Sequence, residues 1–426
     1  MMEYILPTIG CTLVGAVGYY FYAKSNTIDA KRNVKKGIYG TKLTEGLISE
    51  KDIVENYDKK MSELWGGPPP ELFPGCFKTW PSKYNNAGRG KVALVTGGAA
   101  GIGFYVSKML ANNGFEIIWG YRKGLEYEVS GAKKAILNAV PTAKITILEA
   151  PLDLGSFKSV KAFANECRKK YKCVDVLCLN AGRGGSNGDP KQTTEDGHES
   201  IVQINALSHF LLTKELYPLL KQSKNARVVS QSSGARKIVN AEWEVPKRVK
   251  TGDLSADVPH KGGYNAFAQY QLSKATNCFF TLALNKHLAE AGVNNITGIV
   301  CEPGYGSTGV NIQHNVTHSF LFLPDKLLPT KWTHTLLGQH AADASLPMGL
   351  ACIHPDAIRD SFFTPRNGMK GEAILNTQTT LRSQDDAEKD PMNTEQTFWG
   401  KGGVEQCRDG FWNAAVKATG VKTWEF

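Results

Sequence analysis

Short, continuously apolar runs alternate with longer amphipathic stretches between residues 91 and 301. Residues 92–96 are apolar up to a run of glycines, which predicts a buried strand. Residues 102–113 follow as a predicted helix, with Gly114 where a C-cap glycine belongs. Further strands are predicted at 116–120, 144–150, 174–179, 227–231 and 295–300. Helices are predicted at 156–171, 194–220 and 266–289. Strands that alternate with helices and carry apolar residues on both faces predict an α/β fold, a doubly wound parallel sheet with helices on both faces. Beyond Gly304 the pattern weakens. Residues 318–323 and 341–352 are apolar, and 411–417 predict a terminal helix. These read as substrate-side loops and the closing edge of the same domain.

The N-terminus has a different pattern. Residues 4–23 contain no charge, and twenty helical residues match a bilayer core of roughly 30 Å. Tyr19, Tyr20 and Tyr22 crowd the far end, and Lys24, Lys31, Arg32, Lys35 and Lys36 follow. A cleaved signal would carry positive charge before the apolar run, where Glu3 stands instead. The pattern predicts one N-terminal transmembrane helix, residues 1–24, that anchors the chain in membrane lipid. A presequence or a helix packed on the protein's own core are the alternatives. The basic flank places the rest on the cytoplasmic or matrix side, at the endoplasmic reticulum or the mitochondrial inner membrane. Residues 25–90 lack the alternation and contain Gly66-Gly67-Pro68-Pro69-Pro70, so they read as linker and lead-in, with a helix at 50–64. Residues 91–426 then form one domain with a C-terminal extension.

Composition narrows the classes. The 426 residues are 42% hydrophobic and 21% charged, which excludes wholesale disorder. The net charge of +10 suits an anionic cofactor or an anionic membrane surface. No zinc-finger or RNA-recognition spacing accompanies it, so no nucleic acid is expected. Nine cysteines, an odd number without a C-x-x-C pair, suit a reducing compartment. The histidines, His209 among them, show no metal-ligand spacing and read as core, surface or loop residues, so no metal is expected.

The candidate chemistry lies at the strand ends. The first strand runs into Thr96-Gly97-Gly98-Ala99-Ala100-Gly101-Ile102-Gly103 and then a helix. Free amides and the macrodipole at such an N-terminus attract phosphate, and glycines let the backbone approach it, as in a Rossmann-type fold. Asp153-Leu154 follows the third strand, Asn180-Ala181-Gly182 the fourth, Ser232-Ser233-Gly234 the fifth and Glu302-Pro303-Gly304 the sixth. Tyr270 and Lys274, four apart, share one helix face. A cation beside a phenol lowers its pKa from about 10 toward operating pH, which makes the tyrosine a competent acid or base.

In this order the motifs resemble the short-chain dehydrogenase/reductase family, over about residues 91–308, most closely its retinol dehydrogenase and light-dependent protochlorophyllide reductase branch. The resemblance implies a catalytic set of Ser233, Tyr270, Lys274 and Asn205. Tyr270 is the proton donor, Lys274 also holds the nicotinamide ribose, Ser233 bonds the substrate oxygen and Asn205 holds a relay water. Ser232 is the rival for Ser233. The implied cofactor site comprises Thr96, Gly97, Gly101, Ile102, Gly103, Arg122, Asp153, Leu154, Asn180, Ala181, Gly182, Tyr270, Lys274, Pro303, Gly304 and Thr308. Glu302, where many members carry His or an uncharged residue, and Gly306-Ser307-Thr308-Gly309 depart from the family pattern.

The second strand is followed by Tyr121-Arg122-Lys123, with no carboxylate for ribose hydroxyls. Arg122 instead suits a 2′-phosphate, which predicts NADP(H). The whole reads as a membrane-anchored oxidoreductase acting on a small hydrophobic alcohol or carbonyl, such as a retinoid, steroid or other lipid. The alternative is an accessory or structural subunit of a membrane complex that retains the fold and a bound nucleotide. A second copy of the chain and a membrane complex are the candidate protein partners.

Overall fold

The computed structural model describes residues 71–185, 189–237, 245–254, 263–306, 338–376, 403–421 and 424–425. The expected anchor (1–24), most of the linker with its helix at 50–64, the apolar run at 318–323 and Thr308 lie outside the described residues. Among the described residues no helix is long and apolar enough to cross a membrane.

The strands are β1 (Val92–Val95), β2 (Glu116–Trp119), β3 (Lys144–Ile147), β4 (Val176–Leu179), β5 (Ala226–Gln231), β6 (Ile296–Cys301), β7 (Phe362–Pro365) and β8 (Ala373–Leu375). They form one sheet in the order β3-β2-β1-β4-β5-β6-β7-β8, parallel except for β8. The helices are α1 (Trp80–Lys83), α2 (Gly101–Asn112), α3 (Glu126–Ala139), α4 (Phe157–Lys170), α5 (Ser200–Val202), α6 (Ser208–Gln222), α7 (Val245–Thr251), α8 (Ala266–Glu290), α9 (Ala341–Ile353) and α10 (Gly403–Thr419).

Strand residues alternate between two cores, as the period of two requires. Leu94, Ile118, Leu177 and Val228 face α4, α6, α8 and α10. Ala93, Val95, Ile117, Val176 and Val229 face α2, α3 and α9. Phe163, Phe210, Phe279 and Phe411 are fully buried in the first core, each adding roughly 1.5–3 kcal/mol over an exposed position. Covering both faces explains why the strands read as unbroken apolar runs.

Three readings need correction. The stretch 194–220 is not one helix. Residues 194–199 form a turn with Gly197 at φ 83°, and the helix begins at Ser200, where the Glu199 carboxylate accepts from the amides of Ile201 and Val202. A π-helical segment, Gln203–Leu207, then interrupts it before α6. Second, the lead-in before 90 is partly core. Phe77, in a 3-10 turn (Cys76–Thr79), and Trp80 are buried beside α2 and α9. The Asp343 carboxylate of α9 accepts from the amides of Leu72 and Phe73, which ties that entry to the body. Third, the region after Gly304 is more than loops, although the closing edge and the terminal helix expected there are present. Helix α9 crosses over to the parallel β7, and β8 closes the edge antiparallel.

Strand order reverses between β1 and β4. The crevice at the carboxyl ends of strands flanking such a reversal is where open α/β sheets bind ligands.

Candidate active site

The loop after β1 is built for close approach. Gly97 and Gly101 have φ of 63° and 53°. A Cβ on Gly103 would lie 2.2 Å from the Gly97 carbonyl oxygen and 2.6 Å from Asn180 Nδ2, so only glycine packs α2 against this loop. The N-cap of α2, Ala100, provides no side-chain cap for the helix amides, and Ile102 is half-buried against the core. Thr96 Oγ1 accepts from the amides of Asn180 at 3.0 Å and Ala181 at 2.9 Å, and Asn180 Nδ2 donates to the Thr96 carbonyl at 2.9 Å. The glycine loop and Asn180-Ala181-Gly182 are therefore one hydrogen-bonded unit. The donor-rich helix end and a cradle that a Cβ would fill both fit a dinucleotide's phosphates.

On the flank of this unit, Arg122 is exposed after β2. Asp153 is exposed after β3, its Oδ1 accepting from the Gly155 amide at 2.8 Å, while Leu154 is buried. Beyond β6, Gly304 has φ 65°, and a Cβ there would lie 2.2 Å from the Met369 carbonyl oxygen. Gln339 Nε2 donates to the Pro303 carbonyl at 2.6 Å, bracing the same turn.

Helix α8 carries the acid–base pair. Asn265 caps it, its Oδ1 accepting from the Ala268 amide at 2.9 Å. Tyr270 is half-buried one turn later. Burial pushes its phenol up, and a hydrogen bond with Ser233 pulls it the other way. Lys274 is buried, with Nζ 5.7 Å from the Tyr270 ring centroid and donating to the Gln231 carbonyl at 3.1 Å. Burial pulls its pKa down to about 8. Ser232 Oγ instead donates to the Lys274 carbonyl at 2.8 Å, so of the two serines it is Ser233 that meets Tyr270.

Asn205 lies in the π segment and is fully buried. Its Nδ2 donates to the Arg183 carbonyl at 2.9 Å and to Ser273 Oγ at 3.0 Å, and its Oδ1 accepts from the Arg183 amide at 2.8 Å. The side chain thus ties the segment after Gly182 to α8.

Sequence reasoning assigned no role to His209 and did not mark the burial of Glu128. His209 Nδ1 lies 3.1 Å from the Asn205 carbonyl and Nε2 lies 3.0 Å from Thr96 Oγ1. A carbonyl only accepts, so Nδ1 carries the proton. Burial pushes the ring pKa down to about 3, so Nε2 is bare and accepts from the Thr96 hydroxyl. His209 thereby joins the glycine loop to the π segment. Its spacing of four from Asn205 was the available signal. Glu128, in the first turn of α3, is buried, and burial raises its pKa to about 7 against the opposing charge of Arg122. The apolar stripe of α3, Val129, Ala132 and Ile136, is weak among the charged residues of Glu126–Ala139, and Glu128 lies beside that stripe.

Residues 91–245 match the family model described as short chain dehydrogenase. Retinol dehydrogenase 12 of Bos taurus is 30% identical over 299 residues, which cover 68% of this chain and 86% of that protein. Human retinol dehydrogenase 13 is 31% identical over 264 residues, covering 62% and 72%. The WW domain-containing oxidoreductase of Gallus gallus is 34% identical over 206 residues, 48% of this chain. The match spans about half that relative's length, 47%. A crystal structure of an uncharacterized protein from Mycobacterium paratuberculosis has the same fold, with a TM-score of 0.51 and 22% identity over 78% of this chain and 94% of that one.

Proposed function

Because the chain belongs to the short-chain dehydrogenase/reductase family, we propose that it is a membrane-anchored, NADP(H)-dependent oxidoreductase that interconverts a hydrophobic alcohol and its carbonyl. The observation that carries this reading is the convergence of Ser233, Tyr270 and Lys274 at the carboxyl edge of the sheet, beside the glycine loop.

A nicotinamide held at this edge would supply or accept hydride. Reduction leaves charge on the substrate oxygen, and the protein's residues handle that charge. Ser233 Oγ donates a hydrogen bond to the oxygen, and Tyr270 delivers the phenolic proton. The Lys274 cation stabilises the phenolate left behind, and proton return in the oxidative direction reverses these steps. Thr96, Gly97, Gly101, Ile102, Gly103, Asn180, Ala181 and Gly182 would hold the phosphates and adjoining ribose. Arg122 would grip a 2′-phosphate, and Asp153 with Leu154 would flank the adenine. Pro303, Gly304 and Thr308 would cover the nicotinamide. Asn205 fixes the wall between Gly182 and α8.

The names of the two retinol dehydrogenases support a retinoid or similar lipid as substrate. The uncharged stretch at residues 4–23 with its basic flank supports an anchor. A panel of retinal, steroid ketones and long-chain aldehydes with NADPH tests the reading. Tyr270→Phe is expected to lower turnover by about 10²–10⁴-fold while NADPH binding persists. Unchanged turnover in that variant would overturn the mechanism.

A further inference from the structure

Arg236 is 1% exposed, yet it carries a full charge. It stands three residues after Ser233 in the loop leaving β5. Its Nη1 donates to the Ser233 carbonyl at 2.8 Å and to the Glu302 carboxylate. The guanidinium lies 5.0 Å from the centroid of the Phe362 ring on β7. Glu302 is 8% exposed and sits between the last residue of β6 and the Pro303-Gly304 turn. Its amide donates to the Phe363 carbonyl at 3.0 Å, which fixes its backbone. One buried ion pair therefore spans the loop that carries the candidate substrate-binding serine and the turn assigned to the nicotinamide.

Burying two charges is costly, and an apolar pair of similar volume is often as stable or more so. Stability alone is a weak reason to place this pair here. Geometry gives a stronger one. Nη1 bonds both acceptors from a planar group held against the Phe362 ring, and the compact, freely rotating ammonium of a lysine does not reproduce that placement. On the other side of the same loop, Gln271 Nε2 donates to the Ala235 carbonyl at 2.9 Å. Gln271 follows Tyr270 directly. The serine loop is thus held from α8 by Gln271 and from β6 by Arg236 and Glu302.

We propose that Arg236 and Glu302 are positioning residues that set the distance between Ser233 and the Pro303-Gly304 turn, and hence between the substrate oxygen and the hydride path. The inference rests on the carbonyl-reducing reading of Ser233 and Tyr270. Hydride transfer is sensitive to misplacement of this kind, whereas nucleotide phosphates bound at the glycine loop are not affected by it.

The experiment uses the full chain in detergent and compares the parent with Arg236→Met/Glu302→Leu and with Arg236→Lys. Thermal unfolding, NADPH binding by fluorescence, kcat and KM with the best carbonyl of the panel, and hydrogen exchange at the Ala235 and Arg236 amides are read together. Those amides report on the loop, since they donate to Ser233 Oγ and to the Ser233 carbonyl, at 3.3 and 3.2 Å. The double variant is expected to keep the parent's melting temperature and NADPH affinity. Its kcat should fall about 10- to 100-fold with little change in KM, and the two amides should exchange faster. Arg236→Lys should fold and show the same pattern more weakly, so the outcome does not depend on the double variant alone. Folded variants with parental kcat and parental exchange would overturn the proposal. Should the parent reduce no carbonyl at all, the functional reading fails, and the exchange of the two amides still decides the positioning role.

Discussion

Lys274 is where function works against stability. An unfolded lysine titrates near 10.4, and burial brings the folded residue down to about 8. Between those values the unfolded chain binds a proton that the folded chain does not, so stability rises with pH through that window. Below about pH 8 the burial penalty is fully present. Lys274→Met removes it, and the Gln231 carbonyl keeps the Asn277 Nδ2 donor at 2.9 Å. The variant should therefore be more stable at pH 7, by about 3 kcal/mol, and nearly inactive. The advantage over the parent should shrink to nothing as pH approaches 10.4. Urea unfolding at several pH values checks this, and equal stability of the two proteins at pH 7 would contradict it. His209 behaves differently. With its pKa near 3 it stays neutral at ordinary pH, so its role is geometric. His209→Phe keeps an aromatic ring, slightly larger, but leaves Thr96 Oγ1 and the Asn205 carbonyl without the imidazole as partner. A cost of about 1–3 kcal/mol in stability and weaker NADPH binding are expected, with no change in the shape of the pH–rate profile between pH 6 and 9. A shifted profile would show that the ring titrates during the reaction.

At the scale of elements, what was legible followed from burial on both faces. Strands β1, β2, β4, β5 and β6 were readable as apolar runs because both of their faces meet helices. The glycine loop, Asn180-Ala181-Gly182 and the Tyr270–Lys274 pair were readable because each is local in sequence. What was not legible depends on distant partners. Helix α3 buries Val129, Ala132 and Ile136 at helical spacing, but charged residues and Gly131 between them leave that stripe weak, so the helix is not legible in the sequence. Strand β8 has three residues and exists through its pairing with β7. The π segment cannot be read from a helical period, yet it places Asn205 against Arg183 and Ser273. Arg236 and Glu302 are 66 residues apart and form a pair only once β5 and β6 lie side by side. Helix α10 shows how far such dependence reaches. Phe411 is fully buried there, with its ring centroid 6.4 Å from that of Phe210 on α6 and 6.3 Å from that of Phe280 on α8. Phe411→Ala should cost about 3–5 kcal/mol in urea unfolding, while NADPH affinity per folded molecule stays at the parent value. A loss of affinity without a loss of stability would mean that α10 acts on the nucleotide site rather than on the core.

For the whole molecule, the decisive relation is between the folded body and the segment ahead of it. The body secures its own N-terminal boundary, because Asp343 holds the amides of Leu72 and Phe73 and Trp80 is buried beside α9. The nucleotide loop, the Ser233–Tyr270–Lys274 set and the Arg236–Glu302 pair all lie downstream of that boundary, so anchoring and hydride chemistry should separate cleanly. A chain lacking residues 1–24 should bind NADPH and reduce the same carbonyls as the full chain. Alkaline carbonate extraction of expressing cells should leave the full chain with the membranes and release the shortened one. Release of both would remove the anchor from the functional reading and leave the oxidoreductase intact. Retention of both would move the attachment to another surface of the body. Because a long-chain aldehyde partitions into the bilayer, the proposed tether would also raise its local concentration. With such a substrate in vesicles, the full chain should show the lower apparent KM at equal kcat, and with a short water-soluble aldehyde the two chains should be indistinguishable.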